Sequence, residues 1–167
     1  GVGWSLIHAE SAICEMNRVL RYELDREDDL LLVEGGLEVT AGSLQELSRT
    51  LESDPSFCLA SSRISRLQDL FVQKIDDRYG DPEIDLIPKS VVTSGPEWYR
   101  DGASVGPCCL LSGSAWSDLG DLDESFSKVT DALRHRLRGA RRLGFFSVTR
   151  NRSIVRGGDS WMPPDRL

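Results

Sequence analysis

The sequence predicts one α/β layered domain with a mostly parallel sheet. Residues 9–60 alternate helix, strand, helix and strand, which is the order typical of layered α/β folds. Within them, Leu30–Val33 is an apolar run without polar alternation, as in a strand buried on both faces of a parallel sheet. The 167 residues, 40% of them hydrophobic and 28% charged, suffice for one soluble core.

The first half of the chain supplies two predicted helices. The first, Ala9–Leu24, has apolar residues every three or four positions, and Asn17 lies off that stripe. Capping-box spacing of Ser43 and Glu46 predicts the start of the second helix, which ends at Asp54-Pro55 because proline disfavours helix in the residue before it. The apolar stripe of this second helix comprises Leu44, Leu47 and Leu51.

Further elements follow in order. Phe57–Ala60 is predicted as a strand, residues 67–80 as a third helix, and residues 80–107 as a long loop rich in Pro, Gly and Asp. A buried strand at Cys108–Leu111 and a short helical turn around Trp116 come next. The last predicted elements are a helix over Val129–Leu143 ended by Gly144, a strand at Phe145–Val148 and another at Ser153–Val155.

Composition excludes several functional classes. None of the four cysteines forms a Cys-x-x-Cys pair, so we expect buried reduced thiols in a cytosolic protein and no zinc site. His8 and His135 are isolated, and no strand is followed by a P-loop or a Gly-x-Gly-x-x-Gly motif. No run is long enough to span a membrane. The chain opens on Gly1 in what reads as a loop, so we expect a piece of a longer protein.

Charge is unevenly distributed. The net charge is −7, but residues 134–167 contain nine arginines and two aspartates and so carry a net charge of +7. Residues 1–133, the acidic body, carry a net charge of −14. This basic segment either meets phosphate or an anionic surface, or neutralises the acidic body.

The strand Leu30–Val33 ends at Glu34-Gly35-Gly36, the first candidate site. Two glycines permit a sharp turn and close approach of a ligand to the backbone. Ligands of open α/β sheets lie beyond the carboxyl ends of the strands, so Glu34 is either a functional carboxylate there or part of a polar turn.

Three segments together resemble the C-terminal two-thirds of family 2 glycosyltransferases, which have the GT-A nucleotide-diphosphosugar transferase fold, Rossmann-like in its layers. The first is Asn17-Arg18-Val19-Leu20 followed by Leu30–Gly42. The second runs from Cys109-Leu110-Leu111 through the segment Gly120–Phe126. The third is the helix that starts near Asp131 and ends at Gly144. The set covers most of the chain, but the family's N-terminal nucleotide-binding strands are missing from residues 1–167.

The resemblance implies an inverting transfer of a hexose or deoxyhexose from a nucleotide sugar to a glycan or lipid-linked acceptor, as in cell-surface polysaccharide biosynthesis. Asp131 matches the catalytic base, and Asp123 and Glu124 match the acceptor side. The family's Asp-x-Asp motif, which holds Mn²⁺ or Mg²⁺, is reduced here to Glu34-Gly35-Gly36, so Glu34 is the single remaining candidate metal ligand. The resemblance assigns binding of the donor and its diphosphate to that segment and to three arginines that could replace the metal, Arg134, Arg136 and Arg156.

The same departures leave a second hypothesis open. Gly36 replaces the second motif carboxylate and Arg156 replaces a late histidine of the family, as expected for a catalytically lapsed domain that binds or scaffolds. Its basic last helix would contact a partner, an anionic membrane surface or a phosphorylated glycan. Asp131 is then only a carboxylate that favours the helix dipole. Both hypotheses place the chain in the cytoplasm, with peripheral contact to the inner face of a membrane and no nucleic-acid partner.

Overall fold

The computed structural model describes residues 12–22, 25, 27–66, 71–73, 86–88, 96–101, 105–106 and 108–157. In these ranges the helices are α1 (Ala12–Tyr22), α2 (Ala41–Ser53), α3 (Gly113–Leu119) and α4 (Val129–Ala140), and a 3-10 turn follows at Arg141–Leu143. The strands are β1 (Asp29–Val33), β2 (Leu37–Glu38), β3 (Phe57–Arg66), β4 (Phe71–Gln73), β5 (Leu86–Pro88), β6 (Trp98–Asp101), β7 (Cys108–Ser112) and β8 (Phe146–Gly157).

All eight strands belong to one mixed sheet. Its main path runs β1-β7-β3-β4-β5, and β8 pairs with β3 on the opposite side from β7. On the side away from β3, β8 pairs with β6 near the start of β8 and with β2 at the end of β8. Only the β3–β8 pairing is parallel, and the six other described pairings are antiparallel. The α/β class is confirmed, whereas the predicted mostly parallel sheet is not.

Two of the six antiparallel pairings result from the direction of β7. Strand β7 starts at the end of the sheet where β3 finishes, so it runs back between β1 and β3. An apolar run without alternation indicates burial on both faces, but it carries no information about strand direction.

The two faces of the sheet carry separate apolar cores. Leu30 and Leu32 of β1 and Cys109 and Leu111 of β7 pack with α1, α3 and α4. Leu31, Cys108 and Leu110 point the other way and pack with α2. This alternation is the period of two expected for strands, and it explains why both strands read as continuous apolar runs.

The helices correct two details of the sequence prediction. Asn17 is buried, because it lies four residues after Ile13 and therefore on the apolar face of α1, where the sequence interpretation excluded it. Helix α2 begins at Ala41 with Thr40 as its N-cap, and the capping box joins Thr40 to Ser43 instead of Ser43 to Glu46. Leu44, predicted on the buried stripe, is exposed, while Leu47 and Leu51 are buried as predicted.

The second half departs from prediction where long-range pairing decides. Phe71–Gln73 is a strand instead of part of a third helix, because β3 continues to Arg66 and pairs with it; the rest of residues 67–80 lies outside the described ranges. The predicted loop 80–107 contains β5 and β6, and the two predicted C-terminal strands are one strand, β8, with a register shift. The strand β7, the helix α3, the helix α4 and the left-handed Gly144 (φ 85°) are confirmed. Among the described segments, no helix combines the length and apolar character that a membrane crossing requires.

Candidate functional site

The carboxyl ends of three strands define one edge of the sheet, here called the carboxyl edge. Strands β1, β3 and β8 run in the same direction, and they end there at Val33, Arg66 and Gly157. Strand β7 starts at the same edge, because Cys108 pairs with Val33. This is the edge at which the sequence predicted a site.

The segment Glu34-Gly35-Gly36 crosses this edge. It leaves β1 after Val33 and enters β2, which pairs with β8, although β7 and β3 lie between β1 and β8 in the strand order. Gly36 takes a φ of 83°, and a Cβ placed on Gly35 would meet no atom within 4 Å. The backbone at Gly35 therefore has open space beside it, as close approach by a ligand requires.

Glu34 is half-buried at this crossing. Its negative charge acts on the thiol of Cys109, whose pKa is raised first by burial and then by the charges of Cys108 and Glu34. Of the three causes, the charge of Glu34 is the smallest.

Arg156 lies at the same edge. It pairs with Ser65 of β3 on one side and with Glu38 of β2 on the other, two residues beyond Gly36. Its side chain is exposed. The pairing of Glu38 with Arg156 therefore places Arg156 beside the strand that directly follows Glu34-Gly35-Gly36, and all four residues were assigned by the sequence to donor binding.

The crossing segment offers a poor donor set for a divalent metal. The crossing segment supplies one carboxylate, from Glu34, because Gly36 has no side chain. Across the described ranges, no group of three or more His, Cys, Asp and Glu side chains is arranged to hold a metal ion. Mg²⁺ and Mn²⁺ need several oxygen ligands, so these residues do not fit a bound metal.

Buried polar side chains of β3 and β8 form hydrogen bonds with each other and with α2. The Ser62 and Ser153 hydroxyl oxygens lie 2.7 Å apart, and the Ser153 hydroxyl donates to the Ser43 carbonyl at 2.8 Å. Nearby, the Arg63 Nε donates to the Asn151 Oδ1 at 2.8 Å. The sequence interpretation missed these residues, since single serines in strands carry no local signal of a partner about a hundred positions away.

The second group of predicted residues lies in the loop between α3 and α4, residues 120–126. Asn17, 2% exposed, accepts from the backbone N–H of Leu122 through Oδ1 at 2.8 Å. Its Nδ2 donates to the Leu122 carbonyl and to Oε1 of Glu124, both at 3.0 Å. The amide of Asn17 therefore uses three hydrogen bonds to hold one loop, and its i+4 spacing from Ile13 is the signal that could have identified it.

Two further polar interactions restrain the same loop. Arg21 makes a two-pronged ion pair with Asp121, whose pKa is lowered mainly by the hydrogen bonds from Arg21. Asp123 accepts from the Ser125 backbone N–H at 2.9 Å, and this bond is the main cause of its lowered pKa. Asp123 and Glu124 are both exposed, as an acceptor-side role requires.

Helix α4 carries the predicted base and two of the predicted arginines. Asp131 lies in its first turn and pairs with Arg134 at 3.3 Å, with both side chains 45% exposed. Arg136 points to the loop: its charge lowers the pKa of Asp121, and a Cβ added at Gly120 would lie 3.1 Å from its Nη2. These contacts attach the arginines of α4 to the loop and to Asp131, apart from Glu34 and Arg156.

The four cysteines are free thiols. Three are buried as predicted, and burial raises the pKa of Cys108 to about 11. Cys14 is exposed, contrary to the prediction, because it lies on the outer side of α1.

Comparison with known proteins adds no assignment. No protein-family model matches the chain, and no curated protein matches it significantly. Function is therefore argued from the two groups of residues described above.

Proposed function

We propose that this chain belongs to a GT-A-type glycosyltransferase that moves a hexose or deoxyhexose from a nucleotide sugar to a glycan or lipid-linked acceptor. The observation that carries the proposal is the carboxyl edge, where the open crossing segment Glu34–Gly36 and the exposed Arg156 meet. A diphosphate needs both features, namely backbone that it can approach and a cation that can donate two parallel hydrogen bonds.

The position of α4 supports a role for Asp131. Helix α4 ends beside the start of β8, where the Phe145 N–H donates to the Ala140 carbonyl at 3.1 Å. Its 12 residues span about 18 Å, close to the length of a five-residue strand. Since α4 packs on one face of the sheet, we infer that its first turn points towards the carboxyl edge.

In the proposed reaction, the acceptor hydroxyl oxygen attacks the anomeric carbon of the donor. The Asp131 carboxylate takes the hydroxyl proton while the bond from the anomeric carbon to the phosphate oxygen breaks. The nucleoside diphosphate leaves with that electron pair, and its charge is balanced by Arg156 at the carboxyl edge. No step is assigned to a metal, because the donor set at Glu34 does not fit one.

The test is transfer by the chain and by its full natural open reading frame. UDP-glucose, UDP-galactose, GDP-mannose and dTDP-rhamnose are offered with octyl glycosides as acceptors, with and without Mn²⁺. We expect Asp131→Asn to lower the rate by about 10²–10⁴-fold, the range for losing a general base, with an unchanged melting temperature. Asp118→Asn, on α3, is the matched carboxylate control and should keep the wild-type rate. Retained activity in Asp131→Asn would remove Asp131 from the base role.

The exposed arginines of α4 and the turn after it favour a second candidate, a lapsed domain that docks on an anionic surface. Leu143 beside them is 63% exposed, as expected for a residue that enters a lipid interface. The exposed arginines of this face are Arg134, Arg138, Arg141 and Arg142. Sedimentation with phosphatidylglycerol vesicles but not with phosphatidylcholine vesicles, together with no transfer from any donor, would favour this candidate over the transferase.

A further inference from the structure

The edge of the sheet opposite the carboxyl edge, here called the amino edge, carries an exposed leucine. Strands β1, β3 and β8 begin there, at Asp29, Phe57 and Phe146. The turn between α4 and β8 lies at this edge, because the Phe146 N–H donates to the carbonyl of Ser56, directly before β3, at 2.8 Å. Leu143, in that turn, is 63% exposed. Burial of this side chain in an apolar phase would be favourable, so the turn favours contact with lipid.

The charges around Leu143 are positive. Residues 132–148, which contain most of α4 and the turn, include five arginines and no Asp or Glu. Arg141 and Arg142 directly precede Leu143, and both are exposed. Arg100 of β6 lies beside them, since its guanidinium is 4.3 Å from the centre of the Phe146 ring and its side chain is 48% exposed. These three arginines and Leu143, here called the basic corner, combine cations with an apolar side chain, as surfaces that bind anionic membranes do.

Acidic residues restrict how the amino edge approaches a membrane. Asp28 and Asp29 are exposed at the start of β1, and Asp54 pairs with Arg100 at 3.7 Å. Strands β7 and β3 separate β1 from β8, so the start of β1 lies about 14 Å from Phe146 at the usual strand spacing. This distance exceeds the Debye length of about 8 Å at physiological salt. Lipid phosphates at the basic corner therefore repel the carboxylates of β1 only weakly, and the edge is expected to tilt onto this corner.

We propose that the basic corner docks on an anionic phospholipid bilayer, with Leu143 inserted among the acyl chains and Arg141 and Arg142 at the phosphates. This inference rests on the membrane docking of the second candidate function and specifies its surface and orientation, whether or not the chain transfers sugar. Strand β1 has five residues and spans about 17 Å, so the crossing segment Glu34–Gly36 lies about that far from the amino edge. The crossing segment therefore remains accessible from water in the docked chain.

The first measurement is sedimentation with vesicles of phosphatidylglycerol mixed with phosphatidylcholine, and with vesicles of phosphatidylcholine alone. Arg142→Gln should lower the partition coefficient on the anionic vesicles about fivefold, as expected for one cation at an anionic surface. Leu143→Ser should lower it about tenfold or more, because the apolar contact is lost. Arg49→Gln is the matched control, since it removes the same charge from a side chain of α2 that is 68% exposed. It should change the partition coefficient by less than about twofold.

The second measurement locates the lipid with the dye NBD, attached to Leu143→Cys in a chain that also carries Cys14→Ser. On the anionic vesicles its emission should shift to the blue and should be quenched by brominated acyl chains. The same dye on two control positions should keep its aqueous spectrum. These are the native Cys14, exposed on α1, and Gly35→Cys with Cys14→Ser, where the new Cβ meets no atom within 4 Å.

The outcomes separate the surface from the function. Sedimentation with anionic vesicles but an unchanged emission at position 143, or a blue shift at position 35, would overturn the basic corner as the docking surface and leave the docking function standing. An equal loss of binding in Arg49→Gln and Arg142→Gln would overturn it as well. Sedimentation with neither kind of vesicle, or equally with both, would overturn the docking function itself and this surface with it.

Discussion

Arg150 is a buried cation, and its replacement should destabilise the fold strongly. Its side chain is 9% exposed, and its Nε and Nη2 donate to Oε2 of Glu46 on α2 at 2.9 and 2.6 Å. Its Nη1 donates to Glu97 at 3.1 Å, in the segment just before β6. Arg150 therefore joins β8, α2 and the approach to β6.

The magnitude follows from what Arg150→Met leaves behind. Methionine keeps most of the packing of the arginine stem, so the main loss is the ion pair with Glu46. Removing one partner of a fully buried pair costs about 3–5 kcal/mol, but the Glu46 side chain is 21% exposed and regains some hydration. We therefore expect a loss of about 2–3 kcal/mol in the free energy of unfolding, or roughly 5–10 °C in Tm.

The assay is urea denaturation of Arg150→Met beside Arg152→Met. Arg152 lies two residues along the same strand and pairs with the same Glu97 at 3.4 Å, but it is 52% exposed. Exposed ion pairs contribute little, so this control should unfold at the wild-type urea concentration. Equal midpoints for the two variants would refute the assignment of the stabilisation to the buried pair.

Acid should reduce the difference in urea midpoint between wild type and Arg150→Met. The hydrogen bond from Arg150 lowers the pKa of Glu97 below its ordinary value of 4.5. A carboxyl with a lowered pKa stabilises the fold above its unfolded-state value, and this contribution is lost as the pH falls through its folded-state value. The difference in midpoint should therefore be constant near neutrality and shrink below about pH 4.5. A difference that grows on acidification would contradict this sign.

Two further predictions use residues elsewhere in the fold. Gly139→Ala should raise the free energy of unfolding by about 0.5–1 kcal/mol, because Gly139 lies in α4 and a new Cβ there would meet no atom within 4 Å. Gly113→Ala should lower it by more than about 3 kcal/mol, because the new Cβ would lie 2.0 Å from the Asp28 carbonyl oxygen. Calorimetry measures whether each change stabilises or destabilises the fold. Cys14 should be the one cysteine alkylated rapidly in the native protein, because the other three are buried. Glu124→Gln should speed the alkylation of Cys14, since the charge and hydrogen bond of Glu124 raise the pKa of that thiol. Mass spectrometry after brief iodoacetamide treatment measures the extent of alkylation at each cysteine.

Local pattern sufficed for the elements whose burial is set by their own sequence. Strands β1 and β7 are apolar on both faces and were predicted almost to the residue, as was α4 with its terminal Gly144. The failure at Phe71–Gln73 has a different origin, since a helical spacing of apolar residues was overridden by pairing with the end of β3. The direction of β7 was equally out of reach, because it is set by long-range pairing with β1 and β3.

In the candidate site, too, local features could be predicted from the sequence and long-range ones could not. Glu34–Gly36 could be identified from the sequence because a buried strand ends there and two glycines follow it. The crossing towards β8, which brings Arg156 to the same edge, could not, since it depends on a pairing between positions more than a hundred residues apart. The burial of Asn17 was within reach of helical periodicity, but its partners in the loop were not.

Helix α1 connects the two groups of candidate residues. It holds the loop 120–126 through Asn17 and Arg21, and the chain then continues into β1, which ends at Glu34. The buried face of α1, with Ile13 and Met16, packs in the same core as Leu32 of β1. Displacement of α1 would therefore move the loop that carries Asp123 and Glu124 together with the strand before the proposed donor segment, and that segment continues into β2, which pairs with Arg156. A transferase needs such a common support, because acceptor and donor must be held in one geometry for the attack on the anomeric carbon.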